Sequence, residues 1–225
     1  AGLAVGARVA LKVVHPHLLR SPGFFKRFER EADLGRSVDH ENVVRTIDFD
    51  LTLEGETPLC YLVMEYVAGR TLRQFLADLG KGPEALVREI ASQAAAGLTA
   101  IHARGAVHRD LKPENILVAE DHRVRIMDLG VARERGASVS LTQDGQFVGS
   151  VLYAAPEQIR HSEIGPGADL YSLGVVLYEL LTGTNPFRHD DVGAVVHAHL
   201  EESPPYADTV DPDLSPFVSE VVSSL

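Results

Sequence analysis

The stretch His108-Arg109-Asp110-Leu111-Lys112-Pro113-Glu114-Asn115 decides how the rest of this chain of 225 residues is read. Just before it, Leu86, Ile90, Ala94, Leu98 and Ile101 recur every three or four residues and mark one long amphipathic helix ending near Gly105. Just after it, Ile116 to Val118 and Val124 to Met127 read as two short strands joined by the polar turn Glu120-Asp121-His122. Taken singly, its residues have plain explanations. Asp110 suits a loop aspartate capping its own backbone, Lys112 a solvated surface lysine, and Asn115 a turn. A second short stretch, Asp128-Leu129-Gly130, ends the second strand thirteen residues past Asn115 (128 minus 115). Turn chemistry accounts for Asn115 or Asp128 taken alone.

Upstream, Val9, Leu11 and Val13 alternate with Ala10, Lys12 and Val14 as in a strand, an awkward place for an unpaired lysine. Ser21-Pro22 reads as a helix start, with Phe24, Phe25, Phe28, Ala32 and Leu34 at helical spacing. Val43 to Phe49 and Leu59 to Tyr66 read as strands parted by a turn at Glu54-Gly55, and Ala68-Gly69 breaks the pattern before a mostly helical region. Downstream, Asp169 to Leu181 is apolar nearly all round, as in a helix buried in a core, with Gly183 as its C-terminal cap. A small sheet-rich part (1–66) and a larger helical part (67–225) predict an α+β, two-lobed architecture with a site between the lobes.

Bulk properties set outer limits. A net charge of −11 argues against nonspecific nucleic-acid binding. The richest apolar run, Leu170 to Leu181, is too short to span a bilayer and is interrupted by Tyr171, Ser172 and Glu179. The single cysteine, Cys60, reads as a small buried hydrophobe in a reducing compartment. His15, His17, His197 and His199 lack partners at metal-ligand spacing and default to surface or helix positions.

Residues 108–115 match the catalytic loop H-R-D-L-x-x-x-N of protein kinases position by position. Asp128-Leu129-Gly130 resembles the D-F-G element, with Leu129 in place of Phe. Val9-Ala10-Leu11-Lys12 fits the strand that carries the ATP lysine, and Ala155-Pro156-Glu157 fits the A-P-E that closes the activation segment. Four motifs in family order are far more specific than one. The chain therefore resembles the protein kinase family over essentially its whole length, and most resembles the bacterial serine/threonine branch.

The resemblance implies a phosphotransferase that uses ATP and Mg²⁺ on Ser/Thr hydroxyls of proteins. It casts Asp110 as the carboxylate facing the substrate hydroxyl and Lys112 as the contact to the transferring phosphate, with Asn115 and Asp128 as metal ligands. Lys12 would pair with the α/β-phosphates and a helix glutamate, best matched by Glu31, with Glu29 a rival and Arg27 an alternative partner for Glu31. Met64 would be the gatekeeper, the backbone at Glu65 and Val67 the hinge, and Ala10 and Leu117 part of the adenine slot. Asp169 would brace the catalytic loop from beneath. Within the activation segment, Asp128 to Glu157, Thr142 is the expected site of autophosphorylation, able to pair with Arg109, and Ser150 stands near Asp110 and Lys112.

Two family features are missing. Gly2 and Gly6 do not reproduce the glycine-rich phosphate loop, and Glu157 lacks the late arginine that usually pairs with it. Read as truncation at both ends, this predicts weak activity or none, and reduced stability, for the 225-residue polypeptide. The expected location is cytoplasmic, with any membrane anchor lying beyond residue 225. Competing readings are a pseudokinase-like scaffold, favoured only by the missing loop, and a small-molecule kinase, disfavoured by Lys112 and Ala155-Pro156-Glu157.

Overall fold

A computed structural model describes residues 6–14, 19, 23–54, 57–129 and 150–225. Strands β1 (Val9–Val14), β2 (Thr46–Glu54) and β3 (Thr57–Glu65) form an antiparallel sheet in the order β1-β3-β2. Alternation on β3 turns Cys60, Leu62 and Met64 inward, and helix α1 (Phe24–Ser37) covers that face with Phe24, Phe28 and Ala32. Phe28 meets Phe24 in a stack at 6.2 Å and the edge of Phe49 at 6.4 Å. Cys60 is a free thiol with no exposure, as expected of a small core hydrophobe. In β1, Lys12 stands opposite Leu62 and Ala10 opposite Met64, so the lysine enters from the same inner face as the core residues.

The larger lobe is built on α3 (Glu84–His102) and α5 (Gly167–Thr182), with α2 (Leu72–Leu79), α4 (Pro156–Ile159), α6 (Val192–Glu201), α7 (Ala207–Val210) and α8 (Pro216–Ser223) around them. The stripe Val87, Ile90, Ala94, Leu98 and Ile101 packs into the same core as Leu173, Val176, Leu177 and Leu180 of α5. α5 ends at Gly183, whose φ of +82° is the left-handed cap that its sequence position predicts. The family's two-lobed α+β arrangement is thus what the chain adopts. Among the described residues no helix is long and apolar enough to cross a membrane.

Two elements differ from expectation. β4 (Gly69–Thr71) pairs with β5 (Ile116–Ala119), which pairs with β6 (Val124–Ile126) in a second small sheet. Three residues are too few for a periodic signal, so β4 was invisible in the sequence. The expected strand Val43–Phe49 begins instead at Thr46. Its first residues are spent between the lobes: Val44 N–H donates to the Ile126 carbonyl and Ile126 N–H to the Asn42 carbonyl, each at 2.8 Å. Val43 is buried in the large-lobe core and Val44 in the upper cluster, so their apolar character reflects burial where the lobes meet rather than pairing in the upper sheet. The turn at Gly55 lies outside the described residues.

Gly97 of α3 permits this crossing, because a Cβ there would stand 2.8 Å from the Asn42 carbonyl oxygen and 3.1 Å from the Ile126 side chain. Gly97→Val should therefore destabilise the fold by about 2 kcal/mol through overpacking against backbone. Urea unfolding measures this, and an unchanged midpoint would show that the contact yields.

Candidate active site

The catalytic-loop stretch is held from below by one carboxylate. Asp169, in the first turn of α5 and with no exposure, accepts the N–H of His108 at 2.7 Å on Oδ2 and that of Arg109 at 2.8 Å on Oδ1. His102, at the end of α3, reaches the same Oδ2 at 2.7 Å. Arg109 takes a φ of +67°, a conformation unfavourable for a non-glycine residue, and its N–H bond to Asp169 is part of what holds it there. Above, the Asp110 N–H donates to His108 Nδ1 at 3.3 Å, so His108 carries its hydrogen on Nε2 and gives it to the Met127 carbonyl at 2.9 Å. The loop is thereby tied to the residue that precedes Asp128.

On this base the charged groups converge. Lys112 Nζ lies 3.1 Å from Asp110 Oδ2 and donates to Ser150 Oγ at 2.9 Å. Asn115, closing a single tight turn over Pro113–Asn115, donates its amide N–H to the Asp110 carbonyl at 2.8 Å and more weakly to Oδ2 at 3.3 Å. With its NH₂ so engaged, the amide presents its oxygen as the remaining ligand atom. Asp128, with a φ of +59°, turns sharply at the end of β6 and receives Lys12 Nζ on Oδ1 at 2.8 Å. Lys12 and Asp128 are both partly exposed, at 40% and 24%, so their charges face an open cleft rather than a sealed core. Leu129 is buried in the lower core.

The residues expected to line an adenine slot also meet. Ala10, Val67, Leu117 and Met127 pack against the upper cluster that contains Met64, which is 7% exposed. Glu65 gives its N–H to the Arg45 carbonyl at 3.0 Å, and its carboxylate takes Arg125 Nη1 at 3.0 Å and the Arg45 N–H at 2.9 Å. The side chain of Glu31, Gly130 and the run through Gly149, with Thr142, lie outside the described residues. Among the described residues no cation pairs with Glu157; its carbonyl accepts from Ser162 instead. Gly6 occupies a turn just before β1, at a φ of +91°.

One polar cluster beside the site went unread in the sequence. Arg73 of α2 donates from Nε to Glu114 at 2.8 Å and from Nη1 to Glu179 at 2.9 Å, and also contacts the Tyr153 hydroxyl, which itself donates to Glu179. Burial works against the Arg73 charge, but Glu114, Tyr153 and Glu179 outweigh it and hold its pKa above the usual value. Burial, then Glu179, pushes the Tyr153 hydroxyl up. The available signal was Glu179 itself, a carboxylate inside a helix apolar all round, which demands a buried partner. His199 was likewise read as a default helix or surface residue; it is on α6, but only 4% exposed.

Comparison with known proteins agrees with this geometry. The protein kinase domain profile matches residues 4–224. The serine/threonine-protein kinase PknB of Mycobacterium leprae is 41% identical over 199 residues, covering 87% of this chain and 32% of the relative. PknA of Corynebacterium glutamicum is 40% identical over 203 residues, covering 89% and 43%. The crystal structure of the Mycobacterium tuberculosis PknI kinase domain superposes with a TM-score of 0.70 at 25% identity, covering 96% of this chain and 74% of that one. The chain belongs to the protein kinase family, in its bacterial serine/threonine branch, whose members use ATP and a divalent metal. It spans about a third to two-fifths of the length of the curated relatives it matches.

Removing the arginine alone exposes what the polar cluster is for. Arg73→Leu strands Glu179, 4% exposed, without its cation and should cost about 3–5 kcal/mol in urea unfolding. Arg73→Leu/Glu179→Leu should recover most of that loss, and a single-variant loss below about 1 kcal/mol would show that the pair is dispensable.

Proposed function

We propose that this chain transfers the γ-phosphoryl group of ATP to Ser or Thr hydroxyls of proteins. The observation that carries the reading is the connected set Asp110, Lys112 and Ser150, with Lys112 Nζ 3.1 Å from the carboxylate and 2.9 Å from the hydroxyl. In this reading Asp110 accepts the proton of the attacking hydroxyl while the bond from the γ-phosphorus to its bridging oxygen breaks and the new ester bond forms. Lys112 balances charge on the transferring group. Adenine lies between Ala10 and Leu117 against Met64, with the hinge backbone at Glu65 and Val67. Because the Glu65 N–H is already engaged with Arg45, its carbonyl is the group left for the base.

Lys12 would exchange its contact with Asp128 for the α/β-phosphates, held in part by Glu31. Asn115 and Asp128 fit Mg²⁺: both offer hard oxygens, and Mg²⁺ takes few protein ligands. When bound, that ion neutralises charge on the triphosphate. Thr142 is the proposed site of autophosphorylation, and the cytoplasm, where ATP is abundant, the proposed place of action. A scaffold without catalysis has no need for Lys12, Asp110, Asn115 and Asp128 together.

Asp110→Asn should lower transfer of radiolabelled phosphate to myelin basic protein by about 10²–10⁴-fold, with ATP binding by calorimetry retained. Undiminished transfer by this variant would refute the assignment. Chelation by EDTA should abolish transfer by the unsubstituted protein, and added Mg²⁺ should restore it; activity that survives EDTA would refute the metal assignment to Asn115 and Asp128.

A further inference from the structure

Asn185 takes no part in the chemistry above, yet it is a polar side chain only 5% exposed. It stands in the turn after α5, between the glycine cap Gly183 and Pro186. Its side-chain oxygen accepts the Phe187 N–H at 2.9 Å, closing a local turn over Pro186, which has no N–H of its own. Phe187 is buried in the large-lobe core and stacks on Tyr171 at 6.2 Å, so the turn is anchored from below. With the oxygen so committed, the NH₂ group must find an acceptor elsewhere. It finds the Leu152 carbonyl at 3.1 Å, 33 positions back along the chain.

Leu152 belongs to the segment beside the reacting groups. Ser150 Oγ accepts from Lys112 Nζ at 2.9 Å, and that nitrogen is 3.1 Å from Asp110 Oδ2. The backbone of 150–153 is held one carbonyl at a time. The Ser150 carbonyl accepts the Tyr153 N–H at 3.4 Å, and the Val151 carbonyl the Ala154 N–H at 3.1 Å. Ser172 of α5 holds the Tyr153 carbonyl at 2.7 Å. The fourth, that of Leu152, is the one Asn185 holds. Val151 and Tyr153 are buried, whereas Leu152 is half-buried, so of these three side chains it is the one an incoming chain meets.

A carbonyl in so short a turn swings about its flanking bonds, carrying its side chain with it, unless a fixed donor holds it. Asn185 is such a donor, because both of its polar side-chain atoms are engaged and the following proline restricts its backbone. We propose that Asn185 is a positioning residue for the protein acceptor: its amide N–H fixes the Leu152 carbonyl, and with it the edge 150–153 beside which an acceptor chain brings its hydroxyl to Asp110. The proposal rests on the kinase reading and adds how that site presents itself to a protein.

The test is steady-state kinetics of the protein with myelin basic protein as acceptor. Asn185→Asp keeps the oxygen that accepts the Phe187 N–H and sets a second oxygen, in place of the donor, against the Leu152 carbonyl. It should raise KM for the acceptor about 3- to 10-fold, as for one lost hydrogen bond, with kcat and KM for ATP within about twofold. Asn185→Ser, whose hydroxyl still closes the turn but is too short to reach Leu152, should shift the acceptor KM in the same direction. Combined with Leu152→Ala, which deletes the side chain being placed, Asn185→Asp should add less than about twofold to the acceptor KM. An unchanged acceptor KM in folded Asn185→Asp overturns the proposal, as does a parallel loss in the ATP and acceptor parameters, the mark of general destabilisation. Should Asn185→Asp fail to fold, an unchanged acceptor KM in Asn185→Ser overturns it instead. Absence of transfer by the unsubstituted protein overturns the kinase reading itself, a failure separate from these.

Discussion

The carboxylate of Asp169 is shut away from water and has no solvent to carry its charge, so it must be met by donors from the chain. It sits in the first turn of α5, where the helix N-terminus favours a negative group. The donors it recruits are the backbone N–H groups of His108 and Arg109, together with the His102 ring. Burying a charge is tolerable only when it is fully hydrogen-bonded. That requirement sets the path of the loop, including the left-handed turn at Arg109, and so sets where Asp110 points. Most of that helix is buried, so a displacement of the contact would open space in the core.

From this point the site is assembled by successive polar links rather than by one packed surface. His108 joins the loop to Met127, Lys112 joins it to Ser150, and Arg73 joins α2 to Glu114, Glu179 and Tyr153. Each link ends on a group from a different element. The region around residues 150–155 is therefore defined by what holds it: Lys112 from the loop, Ser172 and Glu179 from α5, and Asn185 from the turn after it. The small lobe is connected more lightly, through Lys12 to Asp128 and through Asn42 and Val44 to β6.

The charged and polar residues that the structure brings together, Lys12 with Asp128 and Asp110 with Lys112 and Asn115, were legible in the sequence because they stand in motifs that recur in linear order. The long helices were equally plain: α3 and α5 announce themselves by their apolar periodicity. The elements that were misread are those whose partners are distant. Val43 and Val44 look like strand residues, but their hydrogen bonds go to Ile126 rather than to the neighbouring strand. β4 is three residues long and exists because β5 offers it an edge.

By itself, then, the sequence determined the family, the two-lobed plan and the identity of the charged residues in the cleft, since these depend on residue type and local order. Only the tertiary structure decided that Arg73, Tyr153 and Glu179 form one network and that Asp169 governs the loop through two backbone bonds. It also decided that His199 is buried against Tyr171 and Phe187. The reason is physical. A buried polar group is permitted only by its partners, and those partners lie 26 to 106 positions away along the chain in the Tyr153–Glu179 and Arg73–Glu179 contacts.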